Sequence, residues 1–390
     1  MPMRNGILPR EGFCADVVLK LIRRTALNPA LLLALVLVAR LTKKGQDLSI
    51  LHPTAARRLR ILLYYALARR ASAWLSDRVR NNWTDDRYDW SREIVLVTGG
   101  AAGIGGSMVR FLEEKGIKVV VLDIQPMPFA TCDLGAPPVD PTTASKVRHF
   151  HCDIRSPESV NAVADTIRAD VGHPTVIINN AGVVRGKTLL DSEPGDVRFT
   201  FDVNTLAHFW IIKAFLPNMV ARNHGMVVTV SSFASWLTIP NMVDYGASKA
   251  AAMALHEGIT SELTTRYNAP KVRTVSVHPG HTRTALFKGF DQGAGFLLPQ
   301  LEPDSIAEAV VRQVLTGRSG HVILPEAGGS LAALRAYPDW YSIRVRARAQ
   351  GSMRRWSGRQ VVEDVDASYD GGKDSQQDEA SESTVLVSGE

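Results

Sequence analysis

Short apolar runs recur through the middle of the chain. "EIVLVTG", "KVVVLDI", "HFHCDI", "TVIINNAG", "GMVVTVSS", "RTVSVHPG" and "HVILPE" follow one another between residues 93 and 325. The stretches between them are longer and mostly helical in pattern. Strands buried on both faces read as continuous apolar runs. Their alternation with helices predicts a doubly wound parallel sheet in one α/β domain. The interval 125–147 breaks the pattern, because Pro126, Pro128, Pro137, Pro138 and Pro141 predict a loop where a crossover helix is expected.

A different pattern precedes this body. Ala30 to Ala39, "ALLLALVLVA", is an unbroken apolar run inside an uncharged stretch from Thr25. A spanning helix needs about 20 apolar residues, so a membrane span and an interfacial segment both remain open for 25–41. Residues 56–80 follow, with Leu59, Leu63, Leu67, Ala71 and Leu75 at four-residue steps among arginines. That spacing predicts a basic amphipathic helix suited to a membrane interface.

Charge sharpens the division. Residues 1–92 carry 17 Lys/Arg against 7 Asp/Glu, and residues 357–390 carry 2 against 9. A basic front end fits nucleic acid or anionic lipid. Its apolar company favours lipid, and no nucleic-acid-binding motif accompanies the charge. Four regions follow: a helical membrane-associating extension (1–92), the α/β body (93–330), a basic aromatic segment (331–359) and an acidic tail (360–390) expected to be disordered. The third is either an interfacial segment or a surface helix. Cys14, Cys132 and Cys152 form neither a disulfide framework nor a metal-ligand spacing, so no metal is expected and a reducing compartment fits.

"VLVTGGAAGIGG" runs from a strand into a helix expected from about Ser107. Gly99, Gly103 and Gly105 let the backbone turn and approach a pyrophosphate at the helix N-terminus. Asp123 ends the next strand, where a carboxylate accepts from adenosine ribose hydroxyls and repels a 2′-phosphate. This favours NAD and leaves NADP open. Asp153 in "HCDI" suits an adenine amino group, and "NNAG" (179–182) offers small residues where a flat cofactor lies close.

Tyr245 and Lys249 in "YGASK" stand one helical turn apart. A neighbouring ammonium is expected to lower the phenol's pKa and make it a general acid/base, while the amine also holds the nicotinamide ribose. Ser232, thirteen residues earlier, can steady a substrate oxygen. Asn204 can anchor a water that reconnects the lysine to solvent.

These motifs together resemble the short-chain dehydrogenase/reductase family, of the classical type, over about 93–325. The resemblance implies a Rossmann-type fold and a catalytic tetrad of Asn204, Ser232, Tyr245 and Lys249. It implies a cofactor site of Gly99, Gly103, Ile104, Gly105, Asp123, Asp153, Ile154, Asn180, Ala181, Gly182, Tyr245, Lys249, Pro279, Gly280, Thr282 and Thr284. "PGHTRT" departs from the family pattern at Thr282, where an aliphatic residue is usual.

The apolar extension is similar to that of the membrane-associated retinol and 17β-hydroxysteroid dehydrogenase group. That similarity implies a lipophilic alcohol or ketone as substrate. It also implies an endoplasmic reticulum or lipid-droplet membrane with the body in the cytosol, and a homodimer. Asn82 of the sequon Asn82-Trp83-Thr84 is then expected to be unglycosylated. Phe and Leu side chains in 285–299 suit an apolar lid. His278 and His281 read as structural or solvent-facing. The alternative reading is a membrane scaffold or lipid-binding protein that binds dinucleotide without turnover.

Overall fold

The computed structural model describes residues 3, 6, 8–127, 146–291, 293 and 295–358. The loop expected at 125–147 falls largely outside this set, as do Cys132 and the acidic tail 360–390.

All seven apolar runs are strands: β1 (Ile94–Thr98), β2 (Lys118–Asp123), β3 (Val147–His151), β4 (Val176–Asn179), β5 (Gly225–Val230), β6 (Val272–Pro279) and β7 (Gly320–Leu324). They pair in parallel in the order β3-β2-β1-β4-β5-β6-β7. Four helices precede the sheet: α1 (Ala15–Arg24), α2 (Pro29–Leu41), α3 (Lys43–Leu51) and α4 (Pro53–Arg80). The helices of the body are α5 (Gly103–Glu113), α6 (Pro157–Asp170), α7 (Pro194–Phe201), α8 (Ala207–Arg222), α9 (Val243–Thr265), α10 (Pro303–Leu315) and α11 (Asp339–Arg348).

Alternate strand residues feed two cores. Val95, Val97 and Val228 pack with Phe111 of α5 and Val310 of α10. Leu96, Ile177 and Val227 pack on the other face with Ile167 of α6, Phe215 of α8 and Ile259 of α9. The chain order reverses beside β1, between β2 and β4. A crevice forms there at the carboxyl ends of the strands, where ligands bind in such sheets.

Helix α5 opens at Gly103, earlier than expected, after an extended Ala102 (φ −146°) that supplies no side-chain cap. The helix expected over 56–80 lies within α4. On α4 only Leu63 and Ala66 are buried, against Leu32 of α2, while Leu67 and Leu75 are exposed. Four-residue steps drift by about 40° per repeat, so the five positions fan over about 160° of the helix surface. Among the described residues no single helix is long and apolar enough to cross a membrane. The pair α1 and α2, bent by 42°, meets that test together.

The link from α4 to β1 is bolted to the body. Arg273 of β6 is 1% exposed and donates to the carbonyls of Asn81 and Thr84, both at 2.9 Å. The Asn82 amide donates to the Pro270 carbonyl at 3.0 Å.

Both ends of the described chain wrap the substrate side of the crevice. Asp16 of α1 accepts from the Glu326 and Ala327 amides at 2.8 and 2.9 Å, at the start of the 3₁₀ segment Glu326–Ala336. Phe13 packs on Phe296, and the Ala15 amide donates to the Phe296 carbonyl. Beyond α11, residues 349–358 form a strap. The Trp356 indole donates to the Leu286 carbonyl at 2.9 Å and its ring lies against Gly186. Met353 is buried beside Val184, Ile239, Met242 and Tyr245.

Candidate active site

One cavity of about 550 Å³ runs along the crevice, from Gly99 and Asp123 at one end to Leu298, Leu331 and Val345 at the other. Its nucleotide end is built by close backbone approach. Gly99 and Gly103 adopt φ of +67° and +57°, which glycine tolerates without strain. A Cβ on Gly105 would collide with the Gly99 carbonyl and come within 2.6 Å of Asn180 Nδ2. The first amides of α5 lack a side-chain cap, which leaves donors free for an anionic group.

The second turn is tied to the first. Thr98 Oγ1 accepts from the Asn180 and Ala181 amides at 3.0 and 3.1 Å, and Asn180 Nδ2 donates to the Thr98 and Gly99 carbonyls, both at 3.0 Å. Thr98 was not singled out from sequence, although it stands directly before Gly99. Asp123 accepts from the Ala101 and Gln125 amides at 2.9 and 3.0 Å and faces the cavity. Asp153 also lines it, but its carboxylate is held by Arg155 at 2.6 to 2.9 Å, and Arg155 lies over the Phe199 ring. Ile104 and Ile154 supply apolar wall.

At the chemical end Ser232, Tyr245 and Lys249 share the cavity wall. Ser232 caps the turn after β5, its hydroxyl accepting from the Ala234 amide at 3.1 Å. Tyr245 and Lys249 sit on α9, with the ammonium 5.9 Å from the ring centre. Asn204 lies in a five-residue π segment (Asp202–Leu206) between α7 and α8. Such widened turns often mark functional sites. A Cβ on Gly182 would lie 3.2 Å from Lys249 Nζ and 3.3 Å from Asn204 Oδ1, so these two groups converge there. Pro279, Gly280, Thr282 and Thr284 close the cavity opposite Gly103, with the Thr282 hydroxyl donating to the Gly280 carbonyl at 3.0 Å.

The electrostatics differ from expectation. Burial pushes the Tyr245 phenol up to about 12, against the lowering effect of its hydrogen bond with Ser232. Burial draws the Lys249 amine down to about 8, and Nζ donates to the Val230 carbonyl at 3.0 Å. The ammonium is thus directed at a carbonyl, and burial is the dominant influence on the phenol.

The substrate end is apolar, with Phe233, Leu237, Ile239, Met242, Phe287 and Phe290 among its lining. The 285–299 segment contributes as expected. The strap and α11 contribute too, through Val345, Ala349 and Ser352. Sequence reasoning gave that region no place in the site. Its only signal was an aromatic, basic segment after the last strand. His278 is buried and stacks on Trp236 at 4.3 Å, in keeping with a structural part. His281 instead lines the cavity, 4.4 Å from the Phe290 ring.

Residues 93–294 match the family model described as short chain dehydrogenase. The chain belongs to this family. Short chain dehydrogenases carry NAD(P), and the glycine cradle and the uncapped start of α5 fit a dinucleotide. The chain is 44% identical over 207 residues to Dehydrogenase RED2 of Cochliobolus heterostrophus, covering 53% of this chain and 74% of that one. It is 36% identical over 230 residues to human Epidermal retinol dehydrogenase 2, covering 59% and 73%. The fold matches that of a short chain dehydrogenase from Burkholderia cenocepacia solved with NADP, with a TM-score of 0.54, 24% identity, and coverage of 66% and 98%. The protein is accordingly an NAD(P)-dependent oxidoreductase.

Proposed function

We propose that the protein interconverts a lipophilic alcohol and its ketone or aldehyde, of retinoid, steroid or long-chain lipid type, with NAD as the preferred cofactor. The observation that carries this reading is the single cavity joining the glycine cradle to Ser232, Tyr245 and an apolar chamber. Human Epidermal retinol dehydrogenase 2, a 36% identical relative, supports the substrate class. Asp123 at the ribose end favours NAD, and Arg155 is engaged by Asp153 instead of free for a 2′-phosphate.

NAD supplies hydride acceptance and return when bound. Gly99, Gly103, Gly105 and the start of α5 hold its phosphates, and Asp123 its adenosine ribose. Tyr245 takes the hydroxyl proton in oxidation and returns one in reduction. Ser232 holds the reacting oxygen and stabilises negative charge that develops there. Lys249 orients the nicotinamide ribose and exchanges a proton with Tyr245. Asn204 holds the Val183 backbone under this end of the site.

Exposed Leu33, Leu35 and Val38 on α2 and Trp74 on α4 support attachment to a membrane surface. Leu206 and Phe209 beside and on α8, with Val243 on α9, support pairing with a second copy.

The test is NADH formation from retinol, steroid and long-chain alcohols by the full chain in mild detergent. Turnover that Tyr245→Phe removes without weakening NADH binding is expected. Tight NADH binding with no turnover by the unaltered chain would point to the scaffold alternative.

A further inference from the structure

The apolar end of the cavity carries one cation that the proposed reaction does not use. Val345, Arg348, Ala349 and Ser352 line this end from α11 and the strap. Spacings of three and four residues keep them on one helical face. Ala349 packs with Phe287, Phe290 and Trp356 on the cluster that holds Tyr245 and Met353. Arg348 is thus next in sequence to a residue packed on the cluster of the proton-handling tyrosine.

Charge at this end is unbalanced. Arg155, Lys249 and Arg348 all line the cavity. Arg155 is paired with Asp153, and Lys249 donates to the Val230 carbonyl. Arg348 has neither an ion pair nor a hydrogen bond among the described residues. The carboxylates that line the cavity, Asp123 and Asp153, belong to its nucleotide end. Asp291 approaches the strap through its amide, which donates to the Ser352 carbonyl at 2.9 Å, while its Oδ1 accepts from the Gly293 amide. Arg346 is spent on the Ser342 carbonyl at 3.1 Å.

A guanidinium matches a carboxylate or phosphate with two parallel hydrogen bonds. In a chamber that is otherwise apolar, a few polar groups of this kind fix which way a ligand lies. Arg348 is exposed, so an anion that meets it stays in contact with water and avoids the cost of burying a charge. A neutral alcohol leaves this group without a partner.

We propose that Arg348 is a specificity-determining residue that binds the anionic end of an amphiphilic substrate. The apolar chain of that substrate crosses the chamber, and its carbinol or carbonyl lies at Ser232 and Tyr245. The substrate class narrows to a lipid with a carboxylate or phosphate at the end remote from the reacting carbon. This rests on the dehydrogenase reading of Ser232 and Tyr245. With both ends held, chain length as well as apolarity decides which molecule reacts.

Kinetics and binding on the full chain in a neutral detergent test the assignment. With NAD, ω-hydroxy fatty acids of graded length are expected to exceed their methyl esters in kcat/KM by about tenfold or more, with a clear optimum in length. An ω-hydroxyalkyl phosphate of the optimal length, run beside the acid, distinguishes a phosphate head from a carboxylate. Arg348→Met keeps the apolar stem, and in it the acid-to-ester ratio should fall to about one and the optimum should flatten. Arg348→Lys should keep part of the ratio. Arg344→Met, on α11 but away from the cavity lining, should change neither ratio nor optimum. Esters turned over as well as the acid and the phosphate would overturn the proposal and leave the dehydrogenase reading standing. So would a ratio that survives Arg348→Met. Calorimetric titration of dodecanoate into the NADH complex covers the remaining case. If the unaltered chain turns over no alcohol, the dehydrogenase reading fails. Dodecanoate binding that Arg348→Met weakens about tenfold would then uphold the anion site, and unweakened binding would overturn it.

Discussion

Asn204 clips the backbone of Val183 from both sides. Its Oδ1 accepts from the Val183 amide at 2.8 Å, and its Nδ2 donates to the Val183 carbonyl at 2.9 Å. Asn204 is fully buried, so its loss strands two backbone groups away from water. Asn204→Leu is expected to destabilise the fold by about 2–4 kcal/mol in urea denaturation and to cut turnover sharply. Asn204→Asp keeps the bond from the amide and should retain more stability than the leucine variant. Equal stability of the two would argue against the clip.

Gly105 is the tightest point of the cofactor cradle. A side-chain carbon there meets the Gly99 carbonyl and Asn180. Gly105→Ala is expected to weaken NADH binding by about a hundredfold or more, read by fluorescence titration, because both turns must separate. Gly106 has only ordinary contacts at its Cβ position, so Gly106→Ala should bind NADH almost normally.

The phenol raised to about 12 sets different pH behaviour for the two directions of the proposed reaction. Reduction needs the protonated phenol, which is fully present at neutral pH. Oxidation needs the phenolate, whose share climbs about tenfold per pH unit below the pKa. The chemical step of reduction should be flat from about pH 6 to 8, while that of oxidation rises. Single-turnover rates with deuterated alcohol would check this. A flat oxidation limb would show that the bound cofactor resets Tyr245.

His224 sits between two carboxylates, 2.7 Å from Asp86 and 3.3 Å from Glu93. The bond with Glu93, then that with Asp86, hold the imidazolium above its ordinary value despite burial. Burial raises Glu93, but bonds from His224 and Thr175 outweigh it and keep the carboxyl low. The histidine's contribution is complete below its unfolded value of 6.5 and is lost as pH rises through the higher folded one. The glutamate's is complete above 4.5 and is lost as pH falls through its lower folded value. The Tm difference between the unaltered chain and His224→Asn should therefore be greatest between these two pH values and shrink on both sides.

Trp356 anchors the strap through its bond to the Leu286 carbonyl and its contact with Gly186. Trp356→Ala is expected to raise KM for lipophilic substrates severalfold, to leave NADH affinity unchanged, and to increase protease cleavage after residue 338. An unchanged KM would mean that the strap does not bound the substrate.

The inner strands β2, β1, β4, β5 and β6 were legible because strands of a parallel sheet covered on both faces are mostly apolar. Most of the residues expected at the nucleotide end line the cavity, and they were legible because they stand at or just after strand ends, within motifs of fixed spacing. Other features carry no local signature. The strap joins Met353 and Trp356 to residues far back in the chain, and nothing periodic announces it. The raised pKa of Tyr245 is a property of burial, which the four-residue spacing to Lys249 does not encode.

Ser232, Tyr245 and Lys249 are held by the sheet and α9, whereas the far wall of the cavity is lined from the Glu326–Ala336 segment, α11 and the strap, with α1 bonded to the first of these from outside. Those wall pieces contribute no group to hydride or proton transfer. Substrate choice can thus drift under mutation while catalysis is conserved, and the two terminal segments are where a descendant of this protein would acquire a new taste.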